Sequence, residues 1–183
     1  GYTPACGNAW RPGICHLPRL HCAGCNHRRL LPLSDRTIHD HLTGKQTIGV
    51  YPLLGDDHCQ FLAADFDGGD WQADARAFMQ SCALLDIPAA LEISRSGEGA
   101  HVWIFFAELV PAREARQLGT ALISETCART RQLSMNSYDR LFPSQDTVPK
   151  GGFGNLIALP LQKQPRASGR SVFVDADGEP HPD

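Results

Sequence analysis

CQFLAADFDGGDWQADARAFMQSCALL, residues 59–85, decides the fold. An apolar, strand-like run from Cys59 closes on Asp65 and Asp67, one residue apart, and two glycines follow. Beyond them the periodicity changes. Trp71, Ala75, Phe78, Cys82 and Leu85 recur at helical spacing, and Asp70 stands where an N-cap belongs. A strand that hands over to a helix this quickly is the opening of a β-α unit.

The same alternation continues downstream. AALEIS reads as a second strand, SGEG as a turn, AHVWIFFA as a third strand, and PAREARQLGTALISETCART as a helix with Pro111 at its start. After a loop of roughly two dozen residues, NLIALP and SVFVD read as short strands. From Cys59 to Pro160 the order is strand, helix, strand, strand, helix, strand, which predicts an α+β domain of the ferredoxin-like, split βαβ kind. In that sheet the third strand lies between the first and second, and the fourth, taken as NLIALP, pairs with the free side of the first. Asp65 and Asp67 then lie beside His101, and the segment carrying Asp146 reaches the same rim. Upstream, TIGVYPLL and the Cys59 strand, joined by GDDH, read as a hairpin. SDRTIHDHL reads as a short helix capped by Ser34.

Composition sets the class. A chain of 183 residues with 42% hydrophobic and 20% charged residues is that of a soluble globular protein. No apolar run is long enough for a membrane span, so no membrane partner is expected. The start, GYTPACGNAW, shows neither an initiator Met nor a signal-peptide pattern and reads as a domain of a longer protein. Seven cysteines, an odd number in a chain of this size, argue against a disulfide framework and for a reducing, cytoplasmic setting. Cys59, Cys82 and Cys127 lie in apolar segments and read as buried small hydrophobes. The texture divides at residue 45: residues 1–45 are a loop-rich, cysteine-rich module, and 46–183 the larger domain. Charge divides too. Residues 1–45 carry six Arg/Lys against two acids and 140–170 five against one, whereas 46–139 carry thirteen acids against six bases. Basic blocks around an acidic centre suit a backbone-gripping surface beside a cation site.

Side chains two apart on a strand share a face, so Asp65 and Asp67 aim at one centre. Two carboxylates so placed suit Mg²⁺ or Mn²⁺, and a third lets a site hold two ions. SRSGEGAHVWIFF, residues 94–106, offers backbone donors at its glycines, the Ser96 hydroxyl, the His101 ring and the Arg95 charge, a set suited to polyphosphate. SYDRLFPSQDTVPKGGFGNLIALPLQ, residues 137–162, adds Asp139 and Asp146 with Arg140 and Lys150.

Together GVYPLL, FLAADFD, SRSGEGAHVW, SYDRLFPSQD and GGFGNLIALPLQ resemble the archaeo-eukaryotic primase superfamily, in particular the primase-polymerase module of transposon-linked (TOTE) conflict-system proteins. The resemblance spans essentially the whole chain. It implies an RRM/ferredoxin-like primase-polymerase core with a small N-terminal zinc-binding module. It further implies that Asp65 and Asp67 hold catalytic Mg²⁺ or Mn²⁺, two ions in all, and that Ser96 and His101, with Arg95, contact a nucleotide triphosphate. The third carboxylate is Asp139 or Asp146; the interval to the Asn-led strand favours Asp146. The family's basic residue after that Asn has no counterpart in LIALP, and Lys150, Lys163 or Arg166 stands in for it. Lys45 and Tyr51, just ahead of strand one, are further candidates for nucleotide contact.

Cys6, Cys15, Cys22 and Cys25 include one tight pair and suit a closed, structural Zn²⁺ site, with His16, His21 and His27 as rival ligands. Arg11, Arg19, Arg28 and Arg29 lie in the same module, placed to meet template phosphates. The expected activity is template-dependent joining of dNTPs or NTPs on single-stranded DNA with a primer, in a longer protein with helicase- or nuclease-type domains. Two rivals remain: a metal-dependent nuclease, against which the triphosphate loop argues, and a non-catalytic zinc-containing nucleic-acid-binding module, against which the full set of acids argues.

Overall fold

A computed structural model describes residues 4–17, 22–130, 135–175 and 177–181. The elements follow in the order α1 (Asp35–Leu42), β1 (Gly49–Val50), β2 (His58–Asp67), α2 (Trp71–Leu84), β3 (Ala90–Ile93), β4 (Gly99–Pro111), α3 (Ala112–Arg129), β5 (Tyr138–Phe142), β6 (Ile157–Ala158), α4 (Lys163–Arg166) and β7 (Val172–Val174). Five strands make one sheet in the order β5-β2-β4-β3-β7, every pair antiparallel, while β1 and β6 form a separate two-stranded ribbon.

Strand alternation sorts the side chains. Leu62, Ala64 and Phe66 of β2, Ala100, Val102 and Ile104 of β4, and Leu91 of β3 meet Ala75, Phe78 and Cys82 of α2 and Leu122 of α3 in the main core. Phe66 and Phe78 pack with ring centroids 5.7 Å apart. The opposite face carries Ala63, Trp103 and Phe142, covered by Ile157 of the ribbon. Its continuation toward the end of β2 carries the polar residues described below.

Three expectations are corrected. The strand on the free side of β2 is YDRLF, residues 138–142, not NLIALP. Ile157–Ala158, the only part of NLIALP assigned as strand, pairs with Gly49–Val50, so TIGVYPLL forms no hairpin with β2. Gly49 permits that pairing, because a Cβ there would collide with Leu156. Cys59 and Cys82 are buried, but Cys127 is exposed on the outer side of α3. The helix over 71–84 is as expected, with Ala75, Phe78 and Cys82 buried, yet Leu85 falls beyond its end and is 51% exposed. Asp70 occupies the N-cap position without a side-chain capping bond, whereas Ser34 accepts the Thr37 N–H and caps α1 as expected.

No helix among the described residues is long and apolar enough to cross a membrane. Residues 4–17 and 22–33 form little regular structure: a bridge between Cys6 and Leu30 and a single 3₁₀ turn at Cys22–Gly24. They dock on the loop after β5 through Arg28, which donates to the Gly151 carbonyl at 3.1 Å and lies 4.7 Å over the Phe153 ring.

Candidate active site

The end of β2 meets the start of β4 and the start of β5. Asp65 pairs with His101 on one side and Arg140 on the other, and Asp67 pairs with Gly99. His101 Nε2 lies 3.5 Å from Asp65 Oδ1, with both side chains about nine-tenths buried. Burial pushes the Asp65 carboxyl up to about 6; His101 and Arg140 oppose that rise, and the charges of Asp67 and Asp139 add to it. Burial pulls the His101 ring down, but the hydrogen bond and charge of Glu92, with Asp65 and Asp67, outweigh it and hold the ring above its ordinary value.

Asp139 reaches this rim through a bulge. The β2–β5 register slips between Asp65 and Phe66, which face Arg140 and Tyr138, and Asp139 is the extra residue between them. Its carboxylate accepts Arg140 Nε at 2.6 Å. Buried Asp74 of α2 secures the approach: it accepts the Ser137 hydroxyl at 2.7 Å, and the Ser137 carbonyl accepts the Asp67 N–H at 2.7 Å. Asp146 is elsewhere. It lies four residues beyond the end of β5 and pairs with Arg116 of α3. The preference for Asp146 came from its interval to the Asn-led strand; the strand beside β2 is β5, which carries Asp139.

The turn between β3 and β4 is tightly tied. The Ser94 N–H donates to the Gly99 carbonyl at 2.9 Å, the Ser96 hydroxyl bonds Ser94 Oγ at 2.9 Å, and it accepts the Glu98 N–H at 3.1 Å. Gly99 has a steric reason, since a Cβ there would collide with Asp67 Oδ1. Gly97 sits at φ +81°, with the Arg170 stem where a Cβ would go, and Arg170 donates to the Ser96 carbonyl at 3.2 Å. Arg95 and Ser96 are exposed at this turn. A tied turn with the Ser96 hydroxyl and two arginines thus borders an acidic centre, an arrangement suited to a cation-bound polyphosphate.

Lys45 and Tyr51 have other partners. Lys45 faces Asp40 at 3.4 Å after the end of α1, and Tyr51 stacks on Phe153 at 5.1 Å, the ring that Arg28 covers. Sequence reasoning passed over Glu92, Asp74 and Arg170. Glu92 carried a legible signal: it is an acid at an inward position of ALEI, opposite His101 once the SGEG turn fixes the register.

Cys6, Cys15, Cys22 and Cys25, with His16 and His27, line one cavity of about 20 Å³. Cys6 Sγ accepts the Asn8 N–H at 3.4 Å and the Arg29 N–H at 3.3 Å, and these bonds hold its thiol below the ordinary value. His21 and Arg19 lie outside the described residues. Among the described residues no three His, Cys, Asp or Glu side chains are close enough to share an ion.

A family model described as "TOTE conflict system, Archaeo-Eukaryotic Primase domain" matches residues 1–183. No curated protein matches the chain.

Proposed function

The chain belongs to the archaeo-eukaryotic primase domain family of TOTE conflict systems, and on that premise we propose that it is a template-dependent nucleotidyltransferase, a primase-polymerase acting on single-stranded DNA. The observation that carries this reading is the convergence of Asp65, His101 and Arg140 at directly paired positions of three adjacent strands. The β-α-β-β-α-β core is read as the RRM/ferredoxin-like catalytic fold of the family.

In the reaction, the 3′-hydroxyl of a primer or first nucleotide attacks the α-phosphate of an incoming dNTP or NTP. The P–O bond to the β-phosphate breaks and pyrophosphate leaves. Asp65, Asp67 and Asp139 are the residues that would hold Mg²⁺ or Mn²⁺; their all-oxygen donor chemistry fits such ions, and Asp139 takes the role expected of Asp146. Bound there, such ions would supply activation of the attacking hydroxyl and neutralisation of the departing charge. His101 and Ser96 orient the triphosphate, while Arg95 and Arg140 balance its charge. Lys45 and Tyr51 are not retained in the nucleotide site.

The N-terminal cysteines are read as a structural Zn²⁺ site. What supports this is donor chemistry: four thiols line one small cavity, and thiolates are the ligands a structural Zn²⁺ takes, although drawing three or more onto one ion needs them to move together. Primer synthesis and extension on single-stranded DNA, with labelled dNTPs or NTPs and Mg²⁺ or Mn²⁺, test the reading. Template-dependent products support it, and degraded template in their place would turn it toward a nuclease.

A further inference from the structure

Glu92 is a carboxylate inside the sheet. It is 2% exposed, sits at the centre of β3, and faces His101 directly in register. One of its oxygens, Oε2, collects two hydrogens: the Trp103 indole N–H at 2.8 Å and His101 Nδ1 at 2.9 Å. The indole is only a donor and a carboxylate only an acceptor, so Nδ1 carries the hydrogen in that second bond. The far ring nitrogen, Nε2, is thereby turned to the open rim, beside Asp65. The ring's flanks are set as well, with the Trp103 indole standing edge-on at 6.1 Å between centroids.

Burying a carboxylate between strands is costly, and an apolar residue of similar volume usually serves stability as well or better. A purely structural account therefore leaves the choice of Glu unexplained. A histidine ring not anchored at Nδ1 is free to turn over about its Cβ–Cγ axis, which carries Nε2 away from the rim. From this geometry we propose that Glu92 is a positioning residue. It accepts the Nδ1 hydrogen of His101 and so fixes the ring's rotamer, with Nε2 turned to the rim where the nucleotide triphosphate binds. The inference rests on the reading of His101 as a triphosphate contact.

A double-mutant cycle on dATP binding tests it, in Ca²⁺ and without DNA, so that affinity is read without turnover. Glu92→Gln is expected to weaken dATP about tenfold in the otherwise wild-type chain, as for loss of a hydrogen bond to a charged group. The same change on a His101→Ala background is expected to cost less than about twofold, because a residue acting through His101 has nothing left to position. Equal losses on both backgrounds, or none on the first, would overturn the inference while leaving the His101 reading intact. A His101→Ala chain that binds dATP as wild type does would overturn both. If Glu92→Gln does not melt cooperatively, Glu92→Asp takes its place in the same cycle. Nitrogen-15 spectra of the His101 ring give a second readout: a hydrogen fixed on Nδ1 in the wild type, exchanging between both nitrogens in Glu92→Gln. An unchanged ring spectrum would also overturn the inference.

Discussion

His101 Nε2 stands 3.5 Å from Asp65 Oδ1 across directly paired positions of β4 and β2, and both groups are displaced from their ordinary titration in the same direction, upward. Asp65 ionises near 6 rather than 3.8, so the folded chain holds that proton more tightly than the unfolded chain does. Its ionisation thus costs the fold a penalty absent below about pH 4 and complete above about pH 6, of order 2–3 kcal/mol at about 1.4 kcal/mol per pKa unit. His101, with its value raised above 6.5, adds stability below that value that is lost as pH rises past its folded value.

Both contributions have one sign, so the metal-free protein is expected to lose stability from pH 4 to pH 8. Asp65→Asn removes the Asp65 contribution. In chelator at pH 8 it should raise the melting temperature by on the order of 5 °C, and at pH 4.5 by much less. Melting curves of both chains at the two pH values check this; an Asn variant that melts lower at pH 8 would contradict it.

Gly99 lies under the Asp67 carboxylate with no room for a Cβ. Gly99→Ala should push β2 and β4 apart where they carry Asp67 and His101. The expected cost is about 1–3 kcal/mol of stability, as for overpacking, with a loss of polymerase activity well beyond it. Gly55→Ala, where a Cβ meets nothing within 4 Å, is the control and should change neither. Denaturant titration and primer extension on the two variants separate the effects.

Four cysteines share one cavity in a segment with little regular structure. The protein as purified without chelator is expected to carry one Zn²⁺ per chain by native mass spectrometry, and Cys22→Ser or Cys25→Ser to carry none. Loss of the ion should expose residues 1–33 to protease while the five-stranded sheet remains protected, because that sheet has its own core. A zinc-free wild type with the same protease pattern would contradict the assignment.

Much of this was legible in the sequence because burial follows periodicity. Phe66, Phe78 and Val102 announce the β2-α2-β4 core, and Asp65 and Asp67 could be set beside His101 before any coordinates. Strand β5 escaped for the opposite reason. It is a five-residue edge strand with Asp139 and Arg140 exposed at its centre, so it lacks the apolar run that marks a strand. NLIALP has such a run, but apolarity reports that Ile157 is buried and not which strand it pairs with. With NLIALP taken as the strand beside β2, the segment carrying Asp146 was expected at the rim where β5 brings Asp139. Glu92 was legible only in part: its inward position in ALEI follows from the register, but the Trp103 and His101 donors that its carboxylate collects do not.

The most direct test is primer extension on single-stranded DNA with Mn²⁺, comparing the wild type with Asp65→Ala, Asp139→Ala and Asp146→Ala. The Asp146–Arg116 pair is substantially exposed, so its loss should cost at most about 1 kcal/mol of stability and leave extension within about threefold of wild type. Asp65→Ala and Asp139→Ala should each abolish extension, at least about a thousandfold, while remaining folded. Extension that survives in Asp139→Ala but is lost in Asp146→Ala would contradict the account and return the third carboxylate to Asp146.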